Sequence, residues 1–272
     1  MLRGYGTLIV TGASSGIGKS FVEHAVRMNP ELKIFNLSRS FPAISSMSER
    51  QLKLSHIPCD FSDSGALDSC CRRLVAELER EGESGRILLI NNSGYGTYGP
   101  FPEPDLTRNV GMIDVNARAP VAIVGHLLPL LRLRGGAIIN VASTAAFQPT
   151  AGMAVYGASK AFLLHWSLAL REELRGTGIE VLALCPGPTS TNFFRNAGLT
   201  ESIVPDSFGQ EVSPVVLAAY KALAGKKGLV VSGWKNKVLA CVSSKLPKTM
   251  AAWLAARVIA RFRPSPVRAK SS

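Results

Sequence analysis

Short apolar runs of Val, Ile and Leu alternate along the chain with longer stretches whose apolar residues recur every three to four positions. That alternation is the mark of repeated strand–helix–strand units and of a parallel sheet buried on both faces. The runs predict strands near Thr7–Val10, Lys33–Leu37, Leu54–Cys59, Ile87–Asn91, Ala137–Val141, Glu180–Cys185 and Leu229–Val231. The helical periodicity predicts helices over Ile17–Met28, Gly65–Glu81, Leu106–Arg134 with a break near Asn116, Tyr156–Arg175 and Ser213–Ala224. Right-handed crossovers wind these elements into one doubly wound α/β sheet of about seven strands, with its ligand crevice at the carboxyl ends of the strands.

The 272 residues fit one such domain, since single cores grow to about 250 residues before chains split. The composition, 46% hydrophobic and 18% charged, excludes a disordered chain, and no apolar run is long enough to span a bilayer. Charge refines the picture by its position. Twelve of the 31 basic residues and none of the 19 acids lie between Val212 and Ser272, so the rest of the chain is neutral and the net +12 belongs to the C-terminal part. Residues 1–232 are read as the catalytic domain and 233–272 as a basic, partly helical extension. The five cysteines, odd in number and without ligand spacing, argue against a disulfide framework or a zinc site. With no leader-like N-terminus, they point to a reducing, cytoplasmic setting.

The segment Thr11-Gly12-Ala13-Ser14-Ser15-Gly16-Ile17-Gly18 joins the first strand to the first helix. Glycine there lets the backbone approach a pyrophosphate, and the unpaired amides of the helix start favour its charge. The fold is therefore Rossmann-like and the ligand a dinucleotide. At the end of the second strand, Asn36-Leu37-Ser38-Arg39 lacks the acid that would hold a ribose 2′-hydroxyl. Arg39, with Ser14 and Ser38 as neutral donors, suits a 2′-phosphate instead, which selects NADP(H).

Tyr156 and Lys160 stand one helical turn apart, so both lie on one face. An ammonium beside a phenol lowers its pKa toward the range of acid–base chemistry. Ser143 follows the strand ending at Val141, and Asn116 falls in Asp114-Val115-Asn116. Together with TGASSGIG at Thr11, CDFSD at Cys59, NNSG at Asn91, INVAS at Ile139, YGASK at Tyr156 and CPGPTST at Cys185, these residues resemble the short-chain dehydrogenase/reductase family over residues 5 to about 232. The resemblance implies that Tyr156 exchanges a proton with the substrate oxygen and that Ser143 hydrogen-bonds that oxygen. It implies that Lys160 holds the nicotinamide ribose while depressing the tyrosine pKa, and that Asn116 holds a relay water. It also places Asp60, Phe61 and Asn91 at the adenosine side, Pro186 and Gly187 beneath the nicotinamide, and the Thr189 backbone and Thr191 hydroxyl against the carboxamide or pyrophosphate. Ser93 stands where the family usually has alanine.

Tyr95, Tyr98, Phe147, Met153, Phe193 and Phe194 are the candidate substrate lining, mostly apolar, which suits a hydrophobic ketone, aldehyde or secondary alcohol. The irregular stretch Thr189–Gln210 reads as a lid. Between Pro247 and Pro264 a helix would place Ala251, Leu254, Ala255, Val258 and Phe262 on one face, with Arg257 and Arg263 flanking the other. A basic amphipathic helix of this kind fits either docking on protein or peripheral contact with an anionic membrane, and nucleic acid is disfavoured because no binding module accompanies it. The first reading is thus an NADPH-dependent carbonyl reductase, assembled by family analogy as a homodimer or homotetramer. The alternative is a non-catalytic NADP(H)-binding sensor or scaffold acting through its basic tail.

Overall fold

In the computed structural model, residues 1–42, 44, 53–80, 82, 85–191, 193, 197 and 209–260 are described. Seven strands, β1 (Tyr5–Thr11), β2 (Lys33–Ser38), β3 (Leu54–Pro58), β4 (Arg86–Asn91), β5 (Gly136–Val141), β6 (Ile179–Cys185) and β7 (Leu229–Val231), form one parallel sheet. Their order is β3-β2-β1-β4-β5-β6-β7. The strand order reverses between β1 and β4, and the crevice opens at their carboxyl ends.

The central strands are apolar at successive positions because both faces are covered. Leu8, Val10, Leu88, Ile90, Ala137, Ile139, Leu182 and Leu184 point to one side, against Phe21 and Val22 of α1 (Gly16–Met28) and Val215, Val216 and Tyr220 of α6 (Val212–Ala224). Ile9, Ile87, Leu89, Ile138 and Val181 point to the other, against α2 (Ser64–Arg80), α4 (Ala119–Arg134) and α5 (Ala154–Glu173). Each such fully buried Val, Leu, Ile or Phe side chain contributes about 1.5–3 kcal/mol of transfer free energy. Polar links cross the first layer: His24 of α1 meets the Ser213 hydroxyl at 3.0 Å, and the Tyr220 hydroxyl donates to the Phe21 carbonyl at 2.8 Å.

The long helix expected from Leu106 to Arg134 is three pieces: α3 (Leu106–Ile113), a π-helical turn at Asp114–Arg118, and α4. The break falls where the sequence placed it, around Asn116. A helix the periodicity does not predict, α7 (Trp234–Lys245), follows β7, and α8 (Lys248–Ala260) comes next. On α7 the inward positions are Asn236, Ala240 and Ser243, small or polar, so no apolar stripe announces it. On α8 the expected face is corrected. Ala251 is buried while Leu254 is exposed with Met250 and Trp253, so the side turned inward is the one that carries alanine. The side chain of Val258, and Phe262 and Arg263, lie outside the described residues. Among the described residues no helix is long and apolar enough to cross a membrane.

Candidate active site

A cavity of about 920 Å³ lies at the carboxyl ends of the strands. Gly12, Ser14, Ser15, Gly16 and Ile17 form one wall of it. Gly12 and Gly16 have φ of +72° and +55°, a region that only glycine enters cheaply. A Cβ at Gly12 would come within 2.6 Å of the Ser93 hydroxyl oxygen, and one at Gly18 within 2.3 Å of the Gly12 carbonyl oxygen. Gly18 does not border the cavity; it lets the first turn of α1 seat against the strand end. Ser15 caps α1 in extended backbone without a side-chain hydrogen bond, so the first amides of α1 have no partner within the helix. These features fit a dinucleotide pyrophosphate. Gly18→Ala is expected to lower the melting temperature by about 3–10 °C, from an overpacking cost of about 1–3 kcal/mol, measured by a thermal melt.

Asn36 ties the glycine turn to β2: its Oδ1 accepts from the Ala13 amide at 3.0 Å and its Nδ2 donates to the Ser38 hydroxyl oxygen at 2.8 Å. Ser38 borders the cavity, and its hydroxyl donates to the Ser40 carbonyl at 2.8 Å. Arg39 and Ser40 border the cavity and are exposed. Asp60 and Phe61 border it too. The Ser62 hydroxyl and amide both donate to the Asp60 carboxylate and hold its pKa below the usual range. Asn91 is not at the cavity: its Nδ2 donates to Asn140 Oδ1 at 2.8 Å inside the sheet. The neighbours Asn92 and Ser93 line it instead, and Asn92 Nδ2 clamps the Thr11 and Gly12 carbonyls at 3.0 and 3.1 Å. Side chains alternate along a strand end, so an offset of one residue exchanges sheet for crevice.

In the same cavity, Ser143 stands two residues after β5, at the head of a short 3-10 turn, and Tyr156 and Lys160 project from the first turns of α5. The Ser143 hydroxyl accepts from the Ala145 amide at 3.1 Å, fixing its direction. The Lys160 amine donates to the Val141 carbonyl at 2.8 Å and stands 5.9 Å from the centre of the Tyr156 ring. Burial pushes the Tyr156 phenol up to about 12, while a hydrogen bond with Ser143 pulls the other way. Burial also lowers the Lys160 ammonium to about 8. The expected depression of the phenol pKa is therefore not present in the chain by itself. Loss of solvation outweighs the hydrogen bond with Ser143.

Asn116 is fully buried on the π-helical turn. Its amide donates to the Tyr95 carbonyl at 2.9 Å and the Ser159 hydroxyl at 3.0 Å, and its Oδ1 accepts from the Tyr95 amide at 3.1 Å. It does not border the cavity. Gly94 separates it from the lysine: a Cβ there would lie 2.9 Å from Asn116 Oδ1 and 3.1 Å from Lys160 Nζ. What this geometry shows is a residue that positions the β4–α3 segment.

Tyr95, Met153 and Phe193 line the cavity beside Tyr156, the Phe193 and Tyr156 rings 5.2 Å apart. Arg108, whose guanidinium lies 5.7 Å from the Tyr95 ring centre, joins them without having been expected. Tyr98 and Phe147 do not border it; Phe147 packs on the small cluster of Ala142, Ala146, Leu164, Ala183 and Cys185. Phe194 and most of the expected lid lie outside the described residues, although Thr189 and Gln210 pair at its base. Pro186, Gly187, Thr189 and Thr191 border the cavity. Gly187 is pressed against α7, where a Cβ would meet the Asn236 amide nitrogen at 2.2 Å, so this helix helps shape the site.

The sequence model of the short chain dehydrogenases matches residues 6–202. The chain is 33% identical over 215 residues to a serine 3-dehydrogenase of Rhizobium radiobacter, covering 77% of this chain and 82% of that one. It resembles the structure of a short-chain dehydrogenase from Sphingobium yanoikuyae in complex with NADPH, with TM-score 0.73, 26% identity and 98% of both chains covered. It also resembles the bulky-bulky ketone specific alcohol dehydrogenase of Comamonas testosteroni, with TM-score 0.70, 25% identity and 98% of both chains covered. Matched by that sequence model over most of its length, and folded as its members are, the chain belongs to the short-chain dehydrogenase/reductase family of NAD(P)-dependent oxidoreductases.

Proposed function

We propose that the protein is an NADPH-dependent reductase of hydrophobic ketones or aldehydes, with Tyr156 as the general acid. One observation carries this reading: a neutral phenol, a directed hydroxyl and a lysine amine line the same cavity as the glycine turn. Nicotinamide, held between Thr191, Pro186 and Lys160, would supply the hydride. The chain's own residues do the rest. Ser143 donates to the substrate oxygen and aims it at Tyr156. The phenol, protonated at neutral pH because burial holds its pKa high, gives its proton to that oxygen as negative charge grows there. Lys160, with a pKa near 8, carries positive charge at pH 7 and stabilises the phenolate left behind. Asn116 holds the Tyr95 backbone, and with it one wall, in place.

Tyr95, Met153 and Phe193 favour an apolar substrate. The name of the Rhizobium relative points to a small polar substrate and that of the Comamonas neighbour to large ketones; Tyr95, Met153 and Phe193 favour the latter, with Arg108 beside Tyr95 the charged exception. NADPH is favoured over NADH because Arg39 stands at the cavity edge with no acid at the end of β2. Removing a charge-assisted pair costs about 1.5–3 kcal/mol, so Arg39→Ala should weaken NADPH roughly 10- to 150-fold and leave NADH nearly unchanged in a fluorescence titration. Self-association through α3–α5 is supported by exposed Val110, Ile113, Val121 and Phe162, the last stacked on Trp166.

The test is loss of NADPH absorbance with a panel of apolar ketones and aldehydes. Turnover of several members supports the reading. Protection against thermal unfolding by NADPH with no turnover, unaltered by Tyr156→Phe, would support a sensor or scaffold instead.

A further inference from the structure

The two C-terminal helices are amphipathic the wrong way round for a helix that ends its career on the protein surface. On α7, Asn236, Ala240 and Ser243 recur at helical spacing and face the domain. Trp234, Val238 and Val242 recur at the same spacing on the opposite side, and Trp234 is 73% exposed. On α8, Ala251 faces inward while Met250, Trp253 and Leu254 face out, with Trp253 52% exposed. Burying small residues and displaying large apolar ones leaves an apolar face in water, which a monomer keeps only for a partner.

Charge identifies that partner. Lys235, Lys237, Lys245, Lys248 and Arg257 accompany the apolar residues, and no acid occurs from Val212 to Ser272. Arg257 lies 3.7 Å over the Trp253 ring, its stem along the apolar surface. A second copy docked face to face would oppose these cations with themselves, and the other 211 residues hold 19 basic against 19 acidic and offer no acidic excess in return. Tryptophans beside lysines and arginines are what the boundary of an anionic bilayer accepts: the rings sit at headgroup depth, the apolar row just below, and the cations reach phosphates.

We infer that α7 and α8 form an interfacial anchor that seats this chain on an anionic lipid surface. Helix α7 packs on the turn after Ser143 and on Gly187, which lines the cavity, and the Lys248 amine donates to the Phe147 carbonyl at 3.3 Å, so the anchor adjoins the cavity. A substrate dissolved in the bilayer would then enter beside the anchor. That second part rests on the reductase reading; lipid attachment does not.

The experiment is flotation of the full chain, without substrate or cofactor, on vesicles of phosphatidylcholine alone or with 30% phosphatidylserine, alongside Trp234→Ser/Trp253→Ser. Both tryptophans are exposed, and an unchanged melting temperature shows the variant folded. The wild type is expected to float with anionic vesicles at low salt, about tenfold less at high salt or on neutral vesicles, with a blue-shifted tryptophan emission. The double variant should lose about tenfold in bound fraction. Failure to float on anionic vesicles at low salt would overturn the inference, as would equal binding by the double variant. So would a concentration-dependent dimer that the double variant abolishes, which would give the face to a second copy.

Discussion

Tyr156→Phe should cut kcat by about 10²–10⁴-fold, the range a positioned general acid supplies, while leaving NADPH affinity and the melting temperature close to wild type. The ring keeps its place against Phe193, 5.2 Å away, so packing survives. What disappears is the proton and the hydrogen bond with Ser143, whose oxygen still accepts from the Ala145 amide. A steady-state assay beside a binding titration separates the two effects. Equal turnover by the variant would remove the phenol from the mechanism.

Lys160→Met is expected to reverse the usual relation between activity and stability. Turnover should fall about 10²–10³-fold, because the charge that favours the developing phenolate is gone. Stability should hold or rise. The ammonium titrates near 8 when folded and at 10.5 when unfolded, so at pH 7 the fold holds a charge it disfavours, at a cost on the order of 3 kcal/mol. The bond to the Val141 carbonyl, worth about 1 kcal/mol, offsets only part of that. The sign with pH follows. Between pH 8 and 10.5 the unfolded chain binds more protons than the folded one, so this lysine makes wild type more stable as pH rises. Above pH 9 the buried thiols of Cys71 and Cys185, held up to about 12, act oppositely, because the unfolded chain then releases protons that the folded chain keeps. Melts from pH 7 to 9 should show wild type gaining on the methionine variant; a variant that melts well below wild type at pH 7 would refute this.

The sheet was legible because its strands are buried on both faces: runs such as Leu88-Leu89-Ile90 leave no other place for themselves, and all seven strands lie within two residues of expectation at either end. That Ser143, Tyr156 and Lys160 would share one cavity was legible because their spacing places them at strand and helix ends. Other features were not. Helix α7 shows small and polar residues inward, so hydrophobic periodicity is blind to it. Asn91 and Asn92 are chemically identical, and only the pleat of β4 decides which one meets the cavity. Phe147 looks like a pocket residue until the 3-10 turn at Thr144–Phe147 packs it aside. The raised pKa of Tyr156 depends on burial, a property of the folded chain that no local spacing encodes.

The account turns on whether the three groups at the strand ends face the reacting ring. A crystal structure of the chain grown with NADPH tests this directly. It should show the pyrophosphate against the Gly12–Gly18 turn, and the nicotinamide with its open face toward the Tyr156 phenol and the Ser143 hydroxyl. A nicotinamide bound away from Tyr156, or turned with its open face from it, would contradict the account.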